Sequence, residues 1–98
     1  MSYNYLVRLK LQIGEYEKGS DMIINADNEQ DAGKMAMALE CHGNAHWGED
    51  EHCVYDLGGE FAYKVKGTQE LTEDDFQVLK RFIPVFTYDK EQLEDMVS

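Results

Sequence analysis

Both cysteines and all three histidines of this 98-residue chain fall between positions 41 and 53: Cys41, His42, His46, His52 and Cys53. Thiolate and imidazole are the ligands zinc prefers, and four of them close a tetrahedral structural site. The set offered here is Cys41, His46, His52 and Cys53, which makes a small zinc-stabilised structural or regulatory module one reading of the chain. Against it, the spacing C-H-x3-H-x5-H-C matches none of the common finger patterns. In a strand, moreover, His52 and Cys53 would point to opposite faces. The competing reading has no cofactor: two small buried thiols, with the histidines solvated on a loop. The same residue types could pair a cysteine nucleophile with a histidine base. That chemistry needs a lowered thiol pKa and an anion hole. The neighbouring Glu49, Asp50 and Glu51 would raise a thiol pKa by like-charge repulsion. No glycine-rich anion hole or serine elbow is present, so catalysis is not expected.

Carboxylates are the other abundant chemical group. Glu49-Asp50-Glu51 lacks the spaced oxygens and central glycine of a calcium loop. Glu73, Asp74 and Asp75 read as the first turn of a helix, where the helix dipole favours acids. Gly58-Gly59 reads as a hairpin turn, not a phosphate loop. The basic residues come as isolated pairs, Arg8/Lys10, Lys64/Lys66 and Lys80/Arg81, without the stripe that reading nucleic acid requires.

Twenty acidic against nine basic residues give a net charge of −11. Residues 1–18 hold Arg8, Lys10 and Lys18 against Glu15 and Glu17, so the excess of −12 lies in residues 19–98. Such a field repels nucleic acid and anionic membranes and attracts basic surfaces, although charge of this size also serves solubility alone. Three acidic groups stand out: 49–51, 70–75 and 89–95. Should they share a face, Glu49, Asp50, Glu51, Glu70, Glu73, Asp74 and Asp75 would present a charge row like a phosphate backbone. Trp47, Tyr16 and Tyr88 would then serve as apolar anchors. The expected partner is a protein or complex with a basic, nucleic-acid-binding surface, engaged by a monomer or homodimer without direct contact to nucleic acid or membrane. No apolar run approaches the length of a membrane span. The N-terminus shows no export signal, and two cysteines fit a reducing compartment, so a cytoplasmic protein is expected.

The elements that must position these residues follow from period and punctuation. Residues 1–98 suffice for a single domain with one core. Tyr5, Val7, Leu9, Leu11 and Ile13 alternate with polar residues as a half-buried strand does. Residues 14–20 read as a connection and Met22–Ala26 as a returning strand. Asp27 or Asn28 begins a helix, with Ala32, Met35, Ala36 and Leu39 on one buried face. Gly33 and the alanines keep that helix thin enough to approach a sheet closely. Residues 41–51 read as a loop. Cys53–Leu57 and Phe61–Val65 form a hairpin about Gly58-Gly59. Thr72 caps a second helix bearing Phe76, Leu79 and Ile83, which Pro84 stops. Val85–Tyr88 offers a weak edge strand, and Asp89 caps a short C-terminal helix. The expected fold is α+β: a mostly antiparallel four-stranded sheet in ββαββα order, with the helices packed on one face.

The stretch Tyr5-Leu-Val-Arg-Leu-Lys-Leu through Gly14-Glu-Tyr-Glu, then Ile24-Asn-Ala and the alanine-rich helix, resembles small bacteriophage proteins. The run Glu70-Leu-Thr-Glu-Asp-Asp-Phe-Gln-Val-Leu has the same character. Small acidic phage proteins that block host defence, anti-CRISPR proteins and DNA mimics among them, are similar in size, charge and α+β build. The resemblance implies a stoichiometric viral inhibitor acting in the host cytoplasm. It carries over no functional residues, because such inhibitors share no common motif.

Overall fold

In the computed structural model of the chain, which describes residues 2–41, 45–48 and 52–97, the N-terminal alternation produces a longer hairpin than its apolar residues mark. β1 (Tyr3–Ile13) and β2 (Tyr16–Ala26) pair antiparallel throughout, Tyr3 opposite Ala26 and Ile13 opposite Tyr16. Only Gly14 and Glu15 join them, with Gly14 at φ +61°, a conformation that costs a side-chain-bearing residue. The connection expected over residues 14–20 is therefore strand from Tyr16 onward. Polar residues 17–21 are held extended by the ladder to β1, not by a pattern of their own. Lys10 Nζ meets Glu17 Oε1 at 2.9 Å and Arg8 Nε meets Asp21 Oδ1 at 4.0 Å across this ladder. Both pairs are exposed and worth at most about 1 kcal/mol.

Asn28 caps α1 (Glu29–Glu40), its Oδ1 accepting the Asp31 N–H at 2.8 Å. The expected buried face forms, but Gly33, Met37 and Ala38 are buried as well. A helix buried this far round needs more than a flat sheet beneath it. The sheet supplies that by curling into a half-barrel, and the C-terminal helix covers another side. Gly33 sets the closeness of approach, since a Cβ there would stand 3.0 Å from Val65 Cγ2.

The chain continues through β3 (His46–Trp47), β4 (Cys53–Asp56), β5 (Phe61–Glu70), α2 (Glu73–Leu79), β6 (Val85–Thr87) and α3 (Lys90–Met96). The fold is mixed α+β, but the four-stranded sheet in ββαββα order is not what forms. Six strands lie in the order β3-β4-β5-β1-β2-β6, the chain runs ββαβββαβα, and β6 pairs parallel to β2. Two short segments account for the difference. Within the expected loop 41–51, His46 and Trp47 pair with Tyr55 and Val54. The weak edge Val85–Thr87 registers with Ile23–Asn25. A bulge at Lys66, where pairing shifts between Arg8 and Leu9, sharpens the curl.

Nor do all the helices share one face. β2–α1–β3 and β5–α2–β6 are crossovers between strands of like direction, run in opposite senses across the sheet. Because such crossovers are right-handed, α1 and α2 fall on opposite faces. Leu6 and Ile23, which point away from the face bearing Val7 and Ile24, are accordingly buried too. α3 joins the α1 side through Leu93 and Val97, and Val97 bridges to Ala45. The β4–β5 connection is likewise not a two-residue glycine turn. Asp56 Oδ1 accepts the Leu57 N–H at 2.9 Å and starts a 3₁₀ turn at Leu57–Gly59, with Leu57 at φ 52° and Gly59 at φ 93°.

Gly48, just after β3, carries an expected result. Its N–H donates to Cys53 O at 2.8 Å. A Cβ there would overlap Cys53 Sγ and come within 3.0 Å of Tyr55 Cε2. Gly48→Ala should therefore push β3 off β4 at a cost of about 1–3 kcal/mol. Hydrogen exchange at the residue 48 amide reads this directly, and unchanged protection would contradict it.

Candidate functional site: an acidic end of the sheet

β2, β5 and β6 all run toward the end of the sheet where β1 begins, as the pairings of Tyr3 with Ala26, Tyr5 with Glu70, and Asn25 with Thr87 require. Each of these three strands is followed by a helix, so all three helices start at that end. Each start is capped by a side chain. Asn28 caps α1; Thr72 Oγ1 accepts the Asp75 N–H at 3.1 Å; Asp89 Oδ1 accepts the Gln92 N–H at 3.1 Å. The first turns carry Glu29 and Asp31, then Glu73, Asp74 and Asp75, then Glu91. With Asp27, Glu70 and Asp89 beside them, nine carboxylates face one cation of the same turns, Lys90.

Two tyrosines lie among the acids of β5, α1 and α3. Burial raises the Tyr5 hydroxyl pKa above its ordinary value, and Glu70, Glu29, Tyr3 and Asp27 raise it further. At Tyr88 burial again acts first. Asp31 adds to it, Lys34 opposes it, and Glu94 and Asp89 add again. Carboxylates of β5 and α1 thus act on one ring, and those of α1 and α3 on the other. Among the described residues, no three His, Cys, Asp or Glu side chains are grouped so as to hold a metal ion. The acids form a spread surface instead of a cage. Three positive helix ends offset the repulsion that so many like charges create.

Of the residues singled out from sequence, Glu70, Glu73, Asp74 and Asp75 lie at this end, and the 89–95 group joins them through Asp89, Glu91 and Glu94. Glu49, Asp50 and Glu51 lie outside the described residues. Trp47 is elsewhere: it registers with Val54, Tyr63 and Leu11, six residues along β1 from the Tyr5–Glu70 pair. Its half-buried ring packs on the core with Lys34 Nζ 5.8 Å from its centroid. Tyr16 is exposed at the opposite hairpin, and Tyr88 packs half-buried at the acidic end. Sequence reading missed Asp27, Glu29 and Asp31, which link the other two groups. They were legible only as a helix start.

Comparison with protein families, curated proteins and solved structures finds no match to this chain. The site rests on its own geometry.

The Cys/His residues are divided by the sheet. Cys41 caps the C-terminus of α1, its thiol donating to Met37 O at 3.2 Å, and His52 lines a groove of about 520 Å³ between α1 and β5 with Glu29, Lys34 and Thr68. Cys53 and His46 belong to the other face, since Cys53 registers with Lys64 and His46 with Tyr55. His42 lies outside the described residues. Burial, then Asp56 and Glu40, push the Cys41 thiol up from 9.0 to about 12, which disfavours the nucleophilic thiolate. The Tyr63 hydroxyl is pushed up from 10.0 to about 12, by burial and then by Cys41, Asp56 and Glu40.

Two expected results follow. At pH 7.5 the Cys41 thiol should react with an aromatic disulfide at least about tenfold more slowly than free cysteine, and at the free rate once the chain is unfolded. Fast labelling of Cys41 in the folded protein would contradict this placement. The linkage also has a definite sign. Groups whose folded pKa is raised hold their protons longer when folded, so their stabilisation is complete below pH 9 and lost as pH rises toward 12. The melting temperature should fall over that window, and less steeply in Cys41→Ala; an increase there would have the wrong sign.

Proposed function

We propose that this chain is a non-enzymatic, protein-binding inhibitor whose acidic end occupies a basic, nucleic-acid-handling surface on its target. The observation that carries the reading is the start of all three helices, each with acids in its first turn, at one end of the sheet. Carboxylates spread over three elements present negative charge at intervals, as a phosphate backbone does, and a surface built of Lys and Arg to grip nucleic acid is complementary to them. Together with the resemblance to small acidic phage proteins, this supports a stoichiometric anti-defence role, of anti-CRISPR or DNA-mimic type, in the host cytoplasm. No helix among the described residues is long and apolar enough to cross a membrane.

Capture of partners from a bacterial lysate at 50 mM and 500 mM NaCl tests the reading. Partners should be basic nucleic-acid-binding proteins, should be released at the higher salt, and should lose their nucleic acid when this chain is added. Neutral or acidic partners held independently of salt would refute it.

A further inference from the structure

β6 is the outermost strand of the sheet among the described residues, pairing only with β2. In a parallel ladder, alternate residues turn their N–H and C=O groups to opposite sides. Pro84 O accepts the Ile23 N–H at 2.9 Å and the Tyr88 N–H donates to Asn25 O at 2.8 Å. Val85 and Thr87, one step out of phase, therefore direct their backbone groups away from the sheet. The strand is short and follows Pro84, but Val-Phe-Thr itself contains no charge, no proline and no bulge, and all three residues are exposed. Two further exposed apolar residues lead into it. Val78 is 58% exposed and Phe82, one turn later, 77%. The charge around the strand is asymmetric. Asp89 and Glu91 follow its C-terminal end at the acidic end of the sheet, and Lys80 and Arg81 precede it, lying against Phe76 and Phe82.

We propose that the β6 edge accepts an extended segment of the partner as a seventh strand, apolar at alternate positions and basic at the end that lies by Asp89 and Glu91. This rests on the reading of the acidic end as a partner surface and specifies how the partner engages it. Strand addition of this kind draws affinity from main-chain hydrogen bonds and selectivity from alternate side chains. Val85 and the Val78–Phe82 ridge meet the apolar side chains, and the carboxylates meet the cations. A second copy of the chain fits less well, because it brings −11 against −11.

The test uses the full chain and fluorescent peptides of alternating valine and threonine bearing three lysines, at the N-terminus in one and at the C-terminus in another. One of the two should bind and shift the backbone amide signals of Val85 and Thr87, its identity reporting strand direction. N-methylating the peptide's alternate amides should weaken binding at least about tenfold. So should Thr87→Pro, which removes an N–H that β2 does not use, with the melting temperature unchanged; Phe82→Ser gives a second variant away from the backbone. An N-methylated peptide binding equally well, with shifts confined to residues 27–31 and 70–75, would overturn strand addition and leave the acidic-end reading intact. Binding lost on N-methylation but indifferent to neutralising Glu73, Asp74, Asp75 and Asp89 would overturn the requirement for a basic segment, and the acidic-end reading with it. A dimer by light scattering, with the Val85 and Thr87 amides protected, would assign the edge to a second copy instead.

Discussion

Leu9→Ala should destabilise the protein by about 3–5 kcal/mol, the upper part of the range for buried leucines. Leu9 is 1% exposed on β1, opposite Ser20 on one side and Val65 on the other. The size of such a loss depends on how far the surroundings collapse into the cavity. Here they can move little. β1 is hydrogen-bonded along both edges, and α1 already touches Val65 through Gly33, where no slack remains. At about 4–8 °C per kcal/mol for a domain of this size, the melting temperature should drop by at least about 12 °C. Total stability of small domains is about 5–15 kcal/mol, so a loss of this size removes a large share of it. Val78→Ala, at an exposed position, should change stability by no more than about 0.5 kcal/mol. Comparable losses in the two variants would mean that the core does not lie between β1 and α1.

Replacing Glu70 and Glu73 by Gln, and Asp74 and Asp75 by Asn, should weaken binding to a captured basic partner at least about tenfold at 50 mM NaCl. The shapes are kept and the caps are untouched, because Thr72 supplies the α2 cap through its hydroxyl. Glu70 acts with Glu29 of α1 on Tyr5, and Glu73, Asp74 and Asp75 fill the first turn of α2, so the negative field at this end falls. At 500 mM NaCl the Debye length shrinks well below its ~8 Å at physiological salt, and wild type and variant should converge. A difference that persists at high salt would assign the contribution of these residues to direct contacts instead of field. Titration calorimetry at both salt concentrations separates the cases.

Much of the local structure was legible in the sequence. The alternation at Tyr5–Ile13 made β1, and the Asn28, Thr72 and Asp89 caps mark the three helix starts. What was not legible depended on partners distant in sequence. Residues 17–21 have no strand pattern of their own and are extended because β1 lies beside them. His46–Trp47 and Val85–Thr87 are too short to declare themselves and exist as strands only through pairing. The Cys/His cluster looked chemical because its members are neighbours in the chain, but the pleat of β4 sends successive side chains to opposite faces.

The net charge of −11 and the acids beside each cap were properties of the sequence alone, because capping and helix dipoles act within one turn. That the three starts share one end was decided by tertiary structure. Strand direction is set by which strands pair, and β2, β5 and β6 happen to run the same way only once β6 joins parallel to β2 and β5 returns along β1. Local chemistry placed an acid in every first turn, and sheet topology gathered those turns into one surface.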